Sequence, residues 1–128
     1  MKIVALIARI LLGLVFFVFG LNGFLNFLPM KAELPPGAAG QFAGALIQSH
    51  YMLVVSGLQV LGGLLVLINR YTILGLVILG PVIVNIFLFH ALLFHAGLGL
   101  ACVVVILWLL LFFHYYKHFS GLFVQKAD

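Results

Sequence analysis

Asn22, Asn26, Gln48, Ser56, Gln59, Asn85 and His90 interrupt long apolar runs, and Arg9 interrupts another. Amides, hydroxyls and imidazoles donate and accept hydrogen bonds, so their chemistry is recognition and, for histidine, proton transfer or ligation. Both carboxylates, Glu33 and Asp128, fall outside the apolar runs. No carboxylate relay, hard-cation site or Ser-His-Asp triad is therefore expected, and there is no glycine-rich phosphate loop. The single cysteine, Cys102, excludes an intramolecular disulfide and a C-x-x-C redox pair, and reads as a small packing residue. Two histidines on different helices can ligate haem axially. His50, His90 and His95 do not line up for it, so neither haem nor a metal site is expected.

The elements that hold these residues are set by hydropathy. Of 128 residues, 66% are hydrophobic and 6% charged. Soluble domains carry roughly 25% charge, so soluble and disordered classes are excluded. The six basic residues are dispersed, which argues against nucleic acid. The apolar runs are too long, and too free of period-two alternation, for a β-barrel. About 20 apolar residues cross a bilayer, and four segments reach that length: about 3–28, 42–68, 72–94 and 98–116, with a loop at 29–41. The second span starts at Phe42 or at Ser49, with 38–48 as a short interfacial helix in the latter case. Lys2 and the run after it resemble a signal peptide, but the run is too long and lacks a small-x-small site, so a retained first helix is expected. The expected fold is all-α: one transmembrane domain over 1–128, an integral membrane four-helix bundle. Lys2, Arg9, Arg70, Lys117 and Lys126 fall on one side and Lys31 alone on the other, which places both termini in the cytoplasm. His114 and His118 then lie at the cytoplasmic surface, and Arg9 snorkels to the headgroups.

Helical angles sort the polar groups. Gly13, Gly20 and Gly23 share a face with Arg9, a stripe suited to close helix contact. Gln48 and Gln59 fall only about 20° apart on an ideal helix, with Val55 and Gly62 on their face. His90 stands about 140° from Asn85, an angle that a kink at Pro81 can alter. By depth, Asn22, Asn26 and His90 sit in the outer half and Gln59 and Asn85 near the midplane. Together they outline a polar pocket open to the outside. The plainer alternative is that these amides only hydrogen-bond neighbouring helices.

Three stretches resemble one family. Arg9-Ile-Leu-Leu-Gly-Leu-Val-Phe-Phe-Val-Phe-Gly-Leu-Asn-Gly is similar to the first helix of DoxX-like membrane proteins. Gln59-Val-Leu-Gly-Gly-Leu-Leu-Val-Leu resembles their Glu-x-x-Gly-Gly segment, and Pro81-Val-Ile-Val-Asn-Ile-Phe-Leu-Phe-His resembles their third helix. The order is kept over nearly the whole chain. The resemblance implies a four-helix, multi-pass protein of the bacterial inner membrane, related to the membrane subunit of a thiosulfate:quinone oxidoreductase and to proteins of oxidative-stress complexes. Gln59 stands where the family usually has Glu, and an amide cannot titrate, so a proton-coupled role resting on that carboxylate has no group to carry it.

Two readings follow. In one, the chain binds a quinone-like or other lipophilic ligand through Asn22, Asn26, Gln59, Asn85 and His90, as a subunit of a redox-linked complex. Convergent amide and imidazole donors in a dry slot suit quinone carbonyls. In the other it is a structural or assembly subunit without a ligand. Its expected partners are the lipid bilayer and a partner subunit or a second copy. No nucleophile or electron carrier is present, so it is not expected to be an enzyme on its own, and at most is a subunit of a quinone-linked oxidoreductase.

Overall fold

The computed structural model describes residues 2–25 and 34–127. The elements are α1 (Lys2–Leu25), α2 (Gly37–Gln48), α3 (Tyr51–Leu67), α4 (Thr72–Leu88), a π-helical turn (Phe89–Leu93), α5 (Leu98–His114) and a C-terminal 3-10 helix (Tyr116–Phe123). No strand occurs among the described residues. Asn26, Lys31 and residues 29–33 of the expected loop at 29–41 lie outside them; the part of that loop from Gly37 on is the start of α2.

Unbranched and branched apolar residues fill the helices, and each helix satisfies its own backbone, as hydrocarbon surroundings demand. Three of the breaks fall where the chain enters left-handed conformation: at His50 (φ 63°), at Asn69 and Tyr71 (φ 57° and 55°), and at Gly97 (φ 84°). Of the two expected starts of the second span, Phe42 and Ser49, the structure has the later one, with a separate short helix before it. Ser49 and His50 separate α2 from α3, and the two helices meet at 82°. At the other end of the molecule α5 turns by 86° into the C-terminal helix.

Two helices are long and apolar enough to cross a membrane, Lys2–Leu25 and Thr72–Leu93, and up to four if each bent pair counts as one span. The 24 residues of α1 extend about 36 Å, whereas the 17 of α3 and of α5 extend about 26 Å, short of a ~30 Å hydrocarbon layer. The bent segments lie where these shorter helices run out.

The contacts form a ring: α1 packs on α3 and α5, and α4 packs on α3 and α5. Glycine allows the tightest of them. A Cβ on Gly13 would stand 2.8 Å from Leu67 Cα, one on Gly20 2.8 Å from Val60 N, and one on Gly63 2.5 Å from Phe17 N. Gly13 and Gly20 thus let the backbones of α1 and α3 touch. On the next seam a Cβ on Gly75 would lie 2.9 Å from Gly62 O, which draws α4 onto α3. Trp108 joins α5 to α4 by donating from Nε1 to the Leu76 carbonyl at 2.9 Å. Its ring stacks on Phe112, and the buried Phe119 of the C-terminal helix closes the cluster against both.

The inner core holds Leu12, Phe16, Val66, Leu76, Leu79 and Leu111. The outer surface is just as apolar: Ile7, Leu14, Val54, Leu61, Val84 and Phe113 are all exposed. A water-soluble domain does not tolerate contiguous apolar surface on this scale. The chain is a helical membrane protein whose outer helix faces suit lipid.

Candidate functional site

Gln59 sits at the middle of α3. The Gly20–Val60 and Gly62–Leu79 contacts hold α3 between α1 and α4. Gln59 is only 8% exposed, yet among the described residues no group hydrogen-bonds its amide. What it faces is space. Two cavities share Gln59, Ile86 and His90 as a common wall. The smaller, about 190 Å³, lies toward α1 and α5 and is lined by Val15, Phe16, Ala101 and Val104. The larger, about 780 Å³, opens between α2, α3 and α4 and is lined by Phe42, Tyr51, Met52, Asn85 and Phe89.

His90 stands where α4 does not stay an α-helix. After Leu88 the chain widens into one π turn, closed by the bond from Phe94 N to Phe89 O at 2.9 Å. A π turn advances fewer degrees per residue than an α turn and re-aims the side chains after it. Asn85 and His90, about 140° apart on an ideal helix, both line the same large cavity. The imidazole is fixed by its Nδ1, which lies 2.7 Å from the Ala96 carbonyl and 3.2 Å from that of Phe94. Carbonyl oxygens only accept, so Nδ1 carries the hydrogen and donates. Gly97 leaves room for the ring: a Cβ there would stand 3.0 Å from His90 Cε1. Among the described residues Nε2 has no hydrogen-bond partner.

The remaining expected site residues distribute differently. Asn85 is exposed on its helix and donates from Nδ2 to the Pro81 carbonyl one turn back at 2.8 Å. Its donor is thereby engaged locally, the usual resort of an amide within a helix. Asn22 is half-buried on α1 and engaged in an interaction there; it lines neither cavity. Asn26 lies outside the described residues. Gln48 ends α2, before the 82° bend, and is exposed. It therefore does not continue the buried face of Gln59 and Gly62, because the continuous helix assumed for that alignment is broken at His50.

Arg9 is not free to snorkel. Its Nη1 donates to the carbonyls of Val66 at 2.9 Å and Leu67 at 2.8 Å. These lie in the last turn of α3, where carbonyls lack helical partners and the negative end of the helix dipole attracts a cation. Leu64 and Leu65 are served by the N–H groups of Ile68 and Arg70, but the Leu67 carbonyl depends on Arg9. Nothing in the spacing of Arg9 along α1 signals this contact, which exists only because α1 and α3 are antiparallel neighbours. The contribution of Phe42 on α2 to the large cavity is likewise tertiary: α2 folds across the end of α3, and Phe42 meets Phe89 at 5.8 Å between ring centroids.

Among the described residues no three of His, Cys, Asp and Glu converge as a metal site. No family model, no curated protein and no solved structure matches the chain.

Proposed function

We propose that this is a multi-pass protein of the bacterial inner membrane, DoxX-like in kind, which holds a quinone-like or other lipophilic ligand against Gln59 and His90. The observation that carries the reading is the Gln59 amide, 8% exposed and without a partner among the described residues, on the wall shared by two apolar cavities. No side-chain polar atom among the described residues is both fully enclosed and unpartnered, so the Gln59 amide opens onto accessible space, where a ligand's polar group can bond it. The cavity volumes fall within or beside the range of small-molecule sites, and apolar walls with a few polar groups are the usual composition of such sites. In this reading four spans form the bundle: α1, α3 with α2 lying across its end, α4, and α5 with its bent C-terminal helix. Lys2, Arg9, Arg70 and Lys117 gather at the end where α1 starts and α3 and α5 finish, which supports cytoplasmic termini. The large cavity opens near the opposite end, on the outer side. The membrane subunit role follows from the resemblance in Arg9–Gly23, Gln59–Leu67 and Pro81–His90.

The test is extraction. Purified in mild detergent and extracted with organic solvent, the protein should release a bound lipophile in stoichiometric amount, and a Gln59→Leu variant of equal fold content should not. Equal recovery from both proteins overturns the reading. A second reading, a structural subunit without a ligand, is favoured by the way Arg9, Trp108 and Asn85 each spend their donors within the molecule. It gains if neither protein carries anything above the detergent background.

A further inference from the structure

The chemistry of the ligand is constrained by which nitrogen of His90 is already used. Nδ1 has two carbonyl neighbours, Ala96 at 2.7 Å and Phe94 at 3.2 Å, and neither can donate to it. Nδ1 therefore carries a hydrogen, which in the neutral tautomer leaves Nε2 as a lone pair. The carbonyls that impose this choice are backbone groups, held by the π turn and the left-handed Gly97 (φ 84°). The ring accordingly cannot satisfy both carbonyls and also donate from Nε2 while neutral. No described residue supplies a donor to Nε2, so that nitrogen is open to a donor from a ligand.

We infer that His90 acts in the cavity as a hydrogen-bond acceptor, so that the site selects an apolar molecule bearing a hydroxyl group over its ether or carbonyl counterpart. The inference rests on the ligand-binding reading above and adds the polarity of one contact. Gln59, on the same wall, presents both a carbonyl and an amino group and fits either partner, so it does not discriminate. His90 does. The apolar remainder of the ligand has its place in the larger cavity beside Phe42, Met52 and Phe89. A ligand offering only a carbonyl toward the imidazole sets two acceptors against each other and leaves both unpaired.

The experiment uses the full chain in detergent micelles with three probes of one body: 4-octylphenol, its methyl ether 4-octylanisole, and 4-octylacetophenone. Binding is read from the rise in unfolding temperature with probe mole fraction. The phenol should bind about tenfold more tightly than the ether or the ketone, the worth of one hydrogen bond to a buried acceptor. In His90→Phe that preference should fall to near unity. Equal affinity of the three probes, or preference for the ketone, overturns the inference and leaves the pocket intact. Binding of none of them overturns the pocket reading itself. Should His90→Phe fail to fold, nitrogen NMR of the wild-type protein decides on its own. A hydrogen found on His90 Nε2 in the neutral ring overturns the inference. A hydrogen on Nδ1, with an Nε2 signal that shifts on adding the phenol and not the ether, supports it.

Discussion

Gln59 and Arg9 are both polar residues inside apolar helices, and their surroundings give them opposite roles. Arg9 closes two carbonyls of α3, so its loss should leave the Leu67 carbonyl without a partner. Arg9→Met keeps much of the apolar stem and should cost about 1.5–3 kcal/mol, the usual range for hydrogen bonds from a charged group. Reversible unfolding in mixed micelles measures it, and an unchanged midpoint would mean that the guanidinium sits among headgroups instead. Gln59 closes nothing, so Gln59→Leu removes an unpartnered amide and fills similar volume. The ligand-free variant should be as stable as the parent or up to about 1 kcal/mol more stable, while its ligand binding falls. A destabilised Gln59→Leu would mean that the amide holds helices together. Asn85 shows why residue type alone could not sort these roles. It has the same chemistry as Gln59, but on a helix its shorter side chain reaches back to Pro81 and engages its own backbone.

At the scale of elements, glycine decides how near two helices can come. Gly20→Leu inserts four carbons where one Cβ already meets Val60 N at 2.8 Å. It should destabilise the α1–α3 pair by about 1–3 kcal/mol, by analogy with overpacked cores. Gly99→Ala, which meets nothing within 4 Å, should be neutral or stabilise α5 by up to about 1 kcal/mol through helix propensity. The same unfolding assay separates them, and equal effects would deny the close contact. The turn from α3 to α4 offers a different test. Tyr71 is left-handed (φ 55°) with its side chain exposed, a conformation that costs a non-glycine residue roughly 1 kcal/mol. Asparagine tolerates it better, so Tyr71→Asn should raise stability slightly, by under about 1 kcal/mol. A marked loss would assign the Tyr71 ring an anchoring role at the membrane surface.

For the molecule as a whole, the basic residues and the antiparallel ring of helices make one prediction about topology. Cysteines placed at Lys117 or Lys126 should be labelled by an impermeant maleimide only after the membrane is opened. Labelling from outside intact cells would reverse the orientation and turn the large cavity toward the cytoplasm. The cluster of Trp108, Phe112 and Phe119 ties the C-terminal helix to the core at that same end. Phe119→Ala should therefore release the segment to proteolysis before the spanning helices are affected.

Composition and run length were sufficient for the helical, membrane-embedded class, because a chain that is 66% hydrophobic with 6% charge has no other way to satisfy its backbone and its surface. The glycine contact between α1 and α3 was also legible, since small residues spaced on one helical face have few other uses in lipid. The start of the second span stayed open between Phe42 and Ser49, and the left-handed turn at His50 decides for the later one; a continuous helix would align Gln48 with Gln59 by arithmetic alone. The placing of His90 and Asn85 on one cavity was not legible, because about 140° separates them on an ideal helix and only the packed helices reveal a cavity broad enough to take both. The partners of polar groups were decided only by the tertiary structure. Arg9 and Leu67 are 58 residues apart, and hydrogen bonds over such separations form between whichever atoms the packing of helices brings within 3 Å.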